Sequence, residues 1–100
     1  MQFLISTYDN GDIDWSLYDH ALKSEAQYVW NLYKHGILKN IWFTEKKDAV
    51  LIVETSTQDE AVSIINNLPL VKAGLLKYLI NSLLPYTGYD RIMYETDQYN

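Results

Sequence analysis

The residue whose placement could do chemistry is Glu25. On a helical projection of ~100° per residue, it falls in the middle of an apolar arc with Tyr18, Ala21, Leu22, Tyr28, Val29 and Leu32. Lys23, Gln27 and Lys34 take the opposite side. A carboxylate aimed at a core is costly unless it is paired, protonated or facing a wet cavity. Burial raises its pKa toward the range useful for proton transfer. Glu25 is therefore the candidate catalytic group. Tyr18, Leu22, Tyr28 and Trp42 are the candidates to shape a pocket around it. A plainer alternative stays open, in which Glu25 caps a buried tyrosine or bonds to a strand, since structural networks also place carboxylates inside.

Other chemistry is poorly supplied. His20 projects to the polar face, and His35 lies beside Gly36, where an imidazolium suits a helix C-terminus. The two share no acidic partner at ligand spacing, so no metal site is assigned. There is no cysteine, which removes disulfides and thiol nucleophiles. No Gly-x-Ser-x-Gly elbow is present, and glycines at 11, 36, 74 and 88 build no phosphate-cradling loop.

These residues need elements to hold them. Met1 to Tyr8 reads as a strand closed by the turn cluster Asp9-Asn10-Gly11-Asp12. Asp14 or Ser16 caps a helix that runs to about His35 and stops at Gly36. Ile37 to Thr44 alternates as a half-buried strand, Glu45-Lys46-Lys47-Asp48 is a polar hairpin turn, and Ala49 to Glu54 is an apolar strand. Thr57 and Glu60 form a capping box for a second helix with the stripe Ala61, Ile64, Ile65 and Leu68. Pro69 and Gly74 bracket its exit, Leu75 to Leu84 is the fourth strand, and Arg91 to Glu95 reads as an extra edge or arm.

The order β-α-β-β-α-β defines an α+β ferredoxin-like antiparallel sheet with two helices on one face. Yet the strands are apolar on both faces. The fourth carries Leu75, Leu79 and Leu83 on one side and Leu76, Tyr78 and Ile80 on the other. A sheet face turned to water would alternate, so two sheets packed face to face in a two-fold dimer are expected. Trp30, on the polar arc between Asp19 and Lys23, reads as a contact with another subunit, the alternative being a lone surface aromatic. Pro85 to Tyr89 suits a lid or a dimer clasp equally.

The totals agree with this picture. One hundred residues suit a single domain over 1–100, and a monomer of that size buries only about two-thirds of its unfolded surface. Forty-eight per cent of the residues are apolar, too many for a disordered chain. The net charge of −5 and the scattered basic residues disfavour nucleic acid and anionic membranes as partners. Phe3-Leu4-Ile5 is too short for a signal core and has no basic leader, so a cytoplasmic protein is expected.

Leu22 to Gly36, Trp42 six residues later, the acid-capped second helix and Leu68-Pro69-Leu70 resemble muconolactone isomerase and its relatives in the dimeric α+β barrel superfamily. The Leu-Pro-Leu run followed by a strand is the most specific part of this likeness. The resemblance implies a ferredoxin-like dimer, often assembled into rings, and a cavity between the sheet and the first helix. It also implies that Glu25 matches a cavity glutamate of the isomerase. The lysine expected one turn earlier is Leu22, with Lys23 displaced to the polar face. The basic residue expected after the strand tryptophan is Phe43, and the polar one before it is Asn40.

The expectation is a homodimer that binds a small, largely apolar organic molecule beside Glu25 and shifts a proton within it, without a cofactor. Cofactor-free oxygenation of an electron-rich ring is a second enzymatic option. A non-catalytic barrel that assembles subunits or senses a ligand is the rival.

Overall fold

Alternation along the first strand decides which face of the sheet becomes the core. In β1 (Gln2–Asp9), Phe3, Ile5 and Thr7 are buried, while the residues between them are not. The computed structural model describes residues 1–93. After β1 come a 3₁₀ turn (Trp15–Leu17), α1 (Asp19–Lys34), β2 (Leu38–Phe43) and β3 (Ala49–Glu54). Then follow α2 (Gln58–Asn66), the short α3 (Pro69–Lys72), β4 (Leu76–Leu83) and a single helical turn, α4 (Asp90–Met93).

The four strands form one antiparallel sheet in the order β2-β3-β1-β4. This is the ferredoxin-like arrangement expected from the order of elements. Phe3 pairs with Val53 and Ile5 with Leu51, so these four point to the same side. There they meet Leu32 of α1, Ala61 and Ile65 of α2, and Leu68. Thr7 is the buried polar residue among the described ones, and its hydroxyl donates to the Ala49 carbonyl at 2.7 Å. That bond offsets the desolvation of the hydroxyl.

Both long helices end as their sequences dictate. The Thr57 Oγ1 accepts from the Glu60 N–H at 3.2 Å, and Glu60 reaches back to the Ser56 N–H at 3.2 Å, one residue before the cap. At the end of α1, Gly36 has φ +75° and the Ile37 N–H bonds to the Leu32 carbonyl at 3.0 Å. This 6→1 closure needs a left-handed residue, which glycine supplies without a Cβ penalty.

Two local expectations are corrected. Asp14 caps the 3₁₀ turn, accepting from the Ser16 N–H and hydroxyl, and not α1. The α1 cap position is Tyr18, which makes no side-chain capping bond. Residues 91–93 belong to a helical turn instead of an extended edge, and Tyr94 and Glu95 lie outside the described residues.

The sheet face away from the helices carries Leu4, Val50 and Ile52, half-buried, with Trp42, Leu79 and Leu83 exposed around them. Beyond β4 the described residues 84–93 are exposed except for half-buried Gly88, and the rings of Tyr86 and Tyr89 meet edge to face at 5.0 Å. Among the described residues, no helix is long and apolar enough to cross a membrane.

Candidate functional site

α1 stands over the β2–β3 side of the sheet without filling the space beneath it. The result is a cavity of about 840 Å³, open to solvent on one side. Leu22, Ala26 and Val29 of α1 form its roof, and Ile41, Phe43, Ala49 and Leu51 form its floor. Leu68, Leu70 and Leu76 close one wall. Phe43 is 74% exposed although it lies on the helix-facing side, because β2 is an edge strand with nothing beyond it in the protomer.

Glu25 lines this cavity. Its Oε1 accepts from the Leu70 N–H at 3.2 Å. Leu70 follows Pro69 in the first turn of α3, and the cap position Leu68 has no side chain able to accept a hydrogen bond. The first N–H groups of a helix have no partner within it. Glu25 thus supplies from α1 the capping acceptor that α3 lacks. The second carboxylate oxygen has no hydrogen-bond partner among the described residues. Burial pushes the Glu25 pKa up, and the Leu70 N–H opposes that shift only in part. Both readings of Glu25 therefore have a physical basis: it anchors a helix and it faces a void.

A raised pKa means the folded chain holds this proton more tightly than the unfolded chain does. The contribution of Glu25 to stability is then fully present below its unfolded pKa and is lost as pH rises through the folded value. The melting temperature of Glu25→Gln relative to the wild type should climb as pH rises from about 4 toward neutrality. Thermal melts of both proteins across that range check it. A falling difference would mean that the Leu70 bond outweighs burial.

The other candidates divide. Leu22 lines the cavity beside Glu25. Tyr28 does not; its hydroxyl donates to the Ile64 carbonyl at 2.9 Å and ties α1 to α2. Burial first, and then the neighbouring Glu25 charge, push the Tyr28 pKa up. Tyr18 sits at the start of α1, edge to face with Trp15 at 6.1 Å, outside the lining. Trp42 pairs with Val50 and so projects from the opposite face of the sheet, because its neighbours Ile41 and Phe43 take the cavity side. A strand tryptophan placed with no knowledge of register has two faces to choose from. Trp30 is 53% exposed, stacks on Tyr33 at 5.4 Å, and with it forms part of the cavity rim.

Asp9, Trp15, Lys46 and Lys47 are among the lining residues that the sequence did not single out. Trp15 donates its Nε1–H to Asp9 Oδ2 at 3.0 Å, and both line the cavity. Lys46 and Lys47, in the β2–β3 hairpin, stand at the mouth. The turn-forming types around Asp9 and Lys46 signalled loops, and nothing local showed that those loops converge. His20 and His35 are both exposed, and His35 Nδ1 lies 2.7 Å from the Asn31 carbonyl at the end of α1. Among the described residues no cluster of three or more His, Asp or Glu could hold a metal ion.

No family model matches the chain, and no curated protein matches it. Among solved structures it is similar to 5-chloro-2-hydroxyhydroquinone dehydrochlorinase from Burkholderia phenoliruptrix AC1100, in complex with 2,5-dihydroxybenzoquinone. That likeness has a TM-score of 0.70 and 22% identity, over 86% of this chain and 96% of that one. It is also similar to muconolactone isomerase, with a TM-score of 0.75 and 12% identity over 88% of this chain and 93% of that one. At such identities the likeness establishes the fold. The chain has the ferredoxin-like fold of the dimeric α+β barrel proteins, and the resemblance to muconolactone isomerase holds at that level.

Proposed function

We propose that the protein is a cytoplasmic homodimeric α+β barrel protein that binds a small, largely apolar organic molecule beside Glu25 and shifts a proton within it. The observation that carries this reading is a roomy apolar cavity into which one carboxyl with a raised pKa is turned. A carboxylate in such surroundings is a stronger base than in water. Glu25 would take a proton from carbon next to a carbonyl, the C–H electron pair forming a carbon–carbon double bond as charge moves to the carbonyl oxygen. The same carboxyl would return the proton at another carbon of the conjugated system. This cycle uses no cofactor. Two proteins with this fold are 5-chloro-2-hydroxyhydroquinone dehydrochlorinase, in complex with 2,5-dihydroxybenzoquinone, and muconolactone isomerase, each named for a small organic molecule.

A second reading has its own observation. The Glu25–Leu70 bond gives the carboxylate a structural duty that a non-catalytic barrel, one that only assembles subunits, would also need. Thermal shift with a panel of small lactones and quinones tests the cavity itself. A ligand present at 100 times its Kd adds about 2.7 kcal/mol of stability. Ala26→Trp, which places an indole in the roof of the cavity, should cancel the shift. Wild-type protein that responds to no member of the panel would favour the non-catalytic barrel.

A further inference from the structure

We propose that Lys47, with Lys46 beside it, selects the ligand by charge: the two ammonium groups hold the carboxylate, sulfonate or phenolate of a flat, otherwise apolar acid at the mouth of the cavity. The inference rests on the reading of this cavity as a small-molecule site and names the class of molecule admitted.

The backbone at Lys47 is the first observation. The Lys47 N–H bonds to the Thr44 carbonyl at 2.9 Å, and the Thr44 N–H to the Asp48 carbonyl at 2.8 Å. Together these define a three-residue hairpin loop whose last residue must be left-handed, and Lys47 has φ +68°. Glycine is the residue that suits this position. Elsewhere among the described residues, positive φ occurs only at Gly11, Gly36 and Gly74. A lysine is uncommon at such a position, which points to a use for its side chain.

The surroundings say what that side chain is for. Neither lysine has an ion-pair partner among the described residues, where the one ion pair joins Lys39 to Glu54. Both line the cavity, and between them and Glu25 its walls are mainly leucine, isoleucine, phenylalanine and alanine. The acidic groups that share the lining are Asp9, Glu25 and Asp48. Asp9 is engaged by the Trp15 indole, while Asp48 stays at the mouth without an ion-pair partner among the described residues. A chain of net charge −5 otherwise repels anions. The ammonium groups of Lys46 and Lys47 are the cationic donors among the lining residues, and they leave the apolar body of the ligand to fill the interior.

Two dyes that differ by a single group provide the test: 8-anilino-1-naphthalenesulfonate, and N-phenyl-1-naphthylamine, which is the same molecule without the sulfonate. Fluorescence titration of the wild type should show the sulfonate bound about tenfold tighter, the size of one charge-assisted hydrogen bond. Lys47→Gly should melt at the same temperature or a few degrees higher, since glycine relieves the left-handed backbone. In that variant and in the Lys46→Gln/Lys47→Gly double variant the preference should vanish, with binding of the neutral dye unchanged. Lys47→Arg should keep it. An undiminished sulfonate preference in the double variant overturns the proposal while leaving the cavity reading intact, provided that Ala26→Trp still displaces the neutral dye. Failure of both dyes to bind, or binding that ignores Ala26→Trp, overturns the cavity reading and this proposal together.

Discussion

Glu25→Gln is expected to fold as the wild type does and to lose at least a hundredfold in turnover of any substrate isomerised in the cavity. General acid–base groups contribute about 10²–10⁴-fold, and a carboxamide cannot carry the proton. The fold survives because the glutamine carbonyl can still accept from the Leu70 N–H that Oε1 now binds. Glu25→Ala separates the two duties of the residue. It leaves the Leu70 N–H without its acceptor in a partly buried setting, which should cost about 1–3 kcal/mol. Chemical denaturation of the three proteins, alongside thermal shift with candidate lactones, reads both effects. Stability lost equally in Gln and Ala, with no ligand response in the wild type, would leave Glu25 as a helix anchor only.

The second large effect is expected on the far side of the sheet. Ile52→Asp should convert the protein from a dimer to a monomer of 11.7 kDa in sedimentation equilibrium at micromolar concentration. Ile52 lies on a central strand, opposite Leu4 across the β1–β3 pair and opposite Asn40 across the β2–β3 pair. An interface built on this face should bury more than ~1,000 Å² to be stable. A carboxylate forced into it without a partner should weaken association by at least a hundredfold, or about 3 kcal/mol. The substitution points away from the core of Phe3, Leu51 and Val53, so the protomer should still fold. A wild type that sediments as a monomer at the same concentration would refute the dimer outright.

Much of the architecture was legible in the sequence because it is written in local terms. The capping box at Thr57 and Glu60 and the left-handed Gly36 each depend on residues within one turn of each other. Strand count and order followed from alternation and turn composition, and with them the ferredoxin-like topology. The doubly apolar strands told of a second hydrophobic face, and that face is present as Leu4, Val50, Ile52, Leu79 and Leu83. Glu25 was legible for the same reason: a helix has one period, and a carboxylate in its apolar arc must point inward.

Everything that depends on two distant segments was left to the tertiary structure. The cavity exists because α1 spans the sheet without filling the space beneath it, a matter of packing between elements that no helical projection contains. The partner of Glu25 is the Leu70 N–H, 45 residues away, and it is there because the Leu68-Pro69-Leu70 turn has no cap of its own. Trp42 went to the outer face by the register of β2 on β3, where one step of slip would have turned it inward. Trp15 and Asp9 met across a loop whose residue types promised only a turn. The sequence by itself determined the four strands and the two long helices and the apolar faces they carry, since these follow from nearest neighbours and period. Which buried side chains face a void, and which cations stand at its mouth, follow from how finished elements fit together, and only the folded chain decides that.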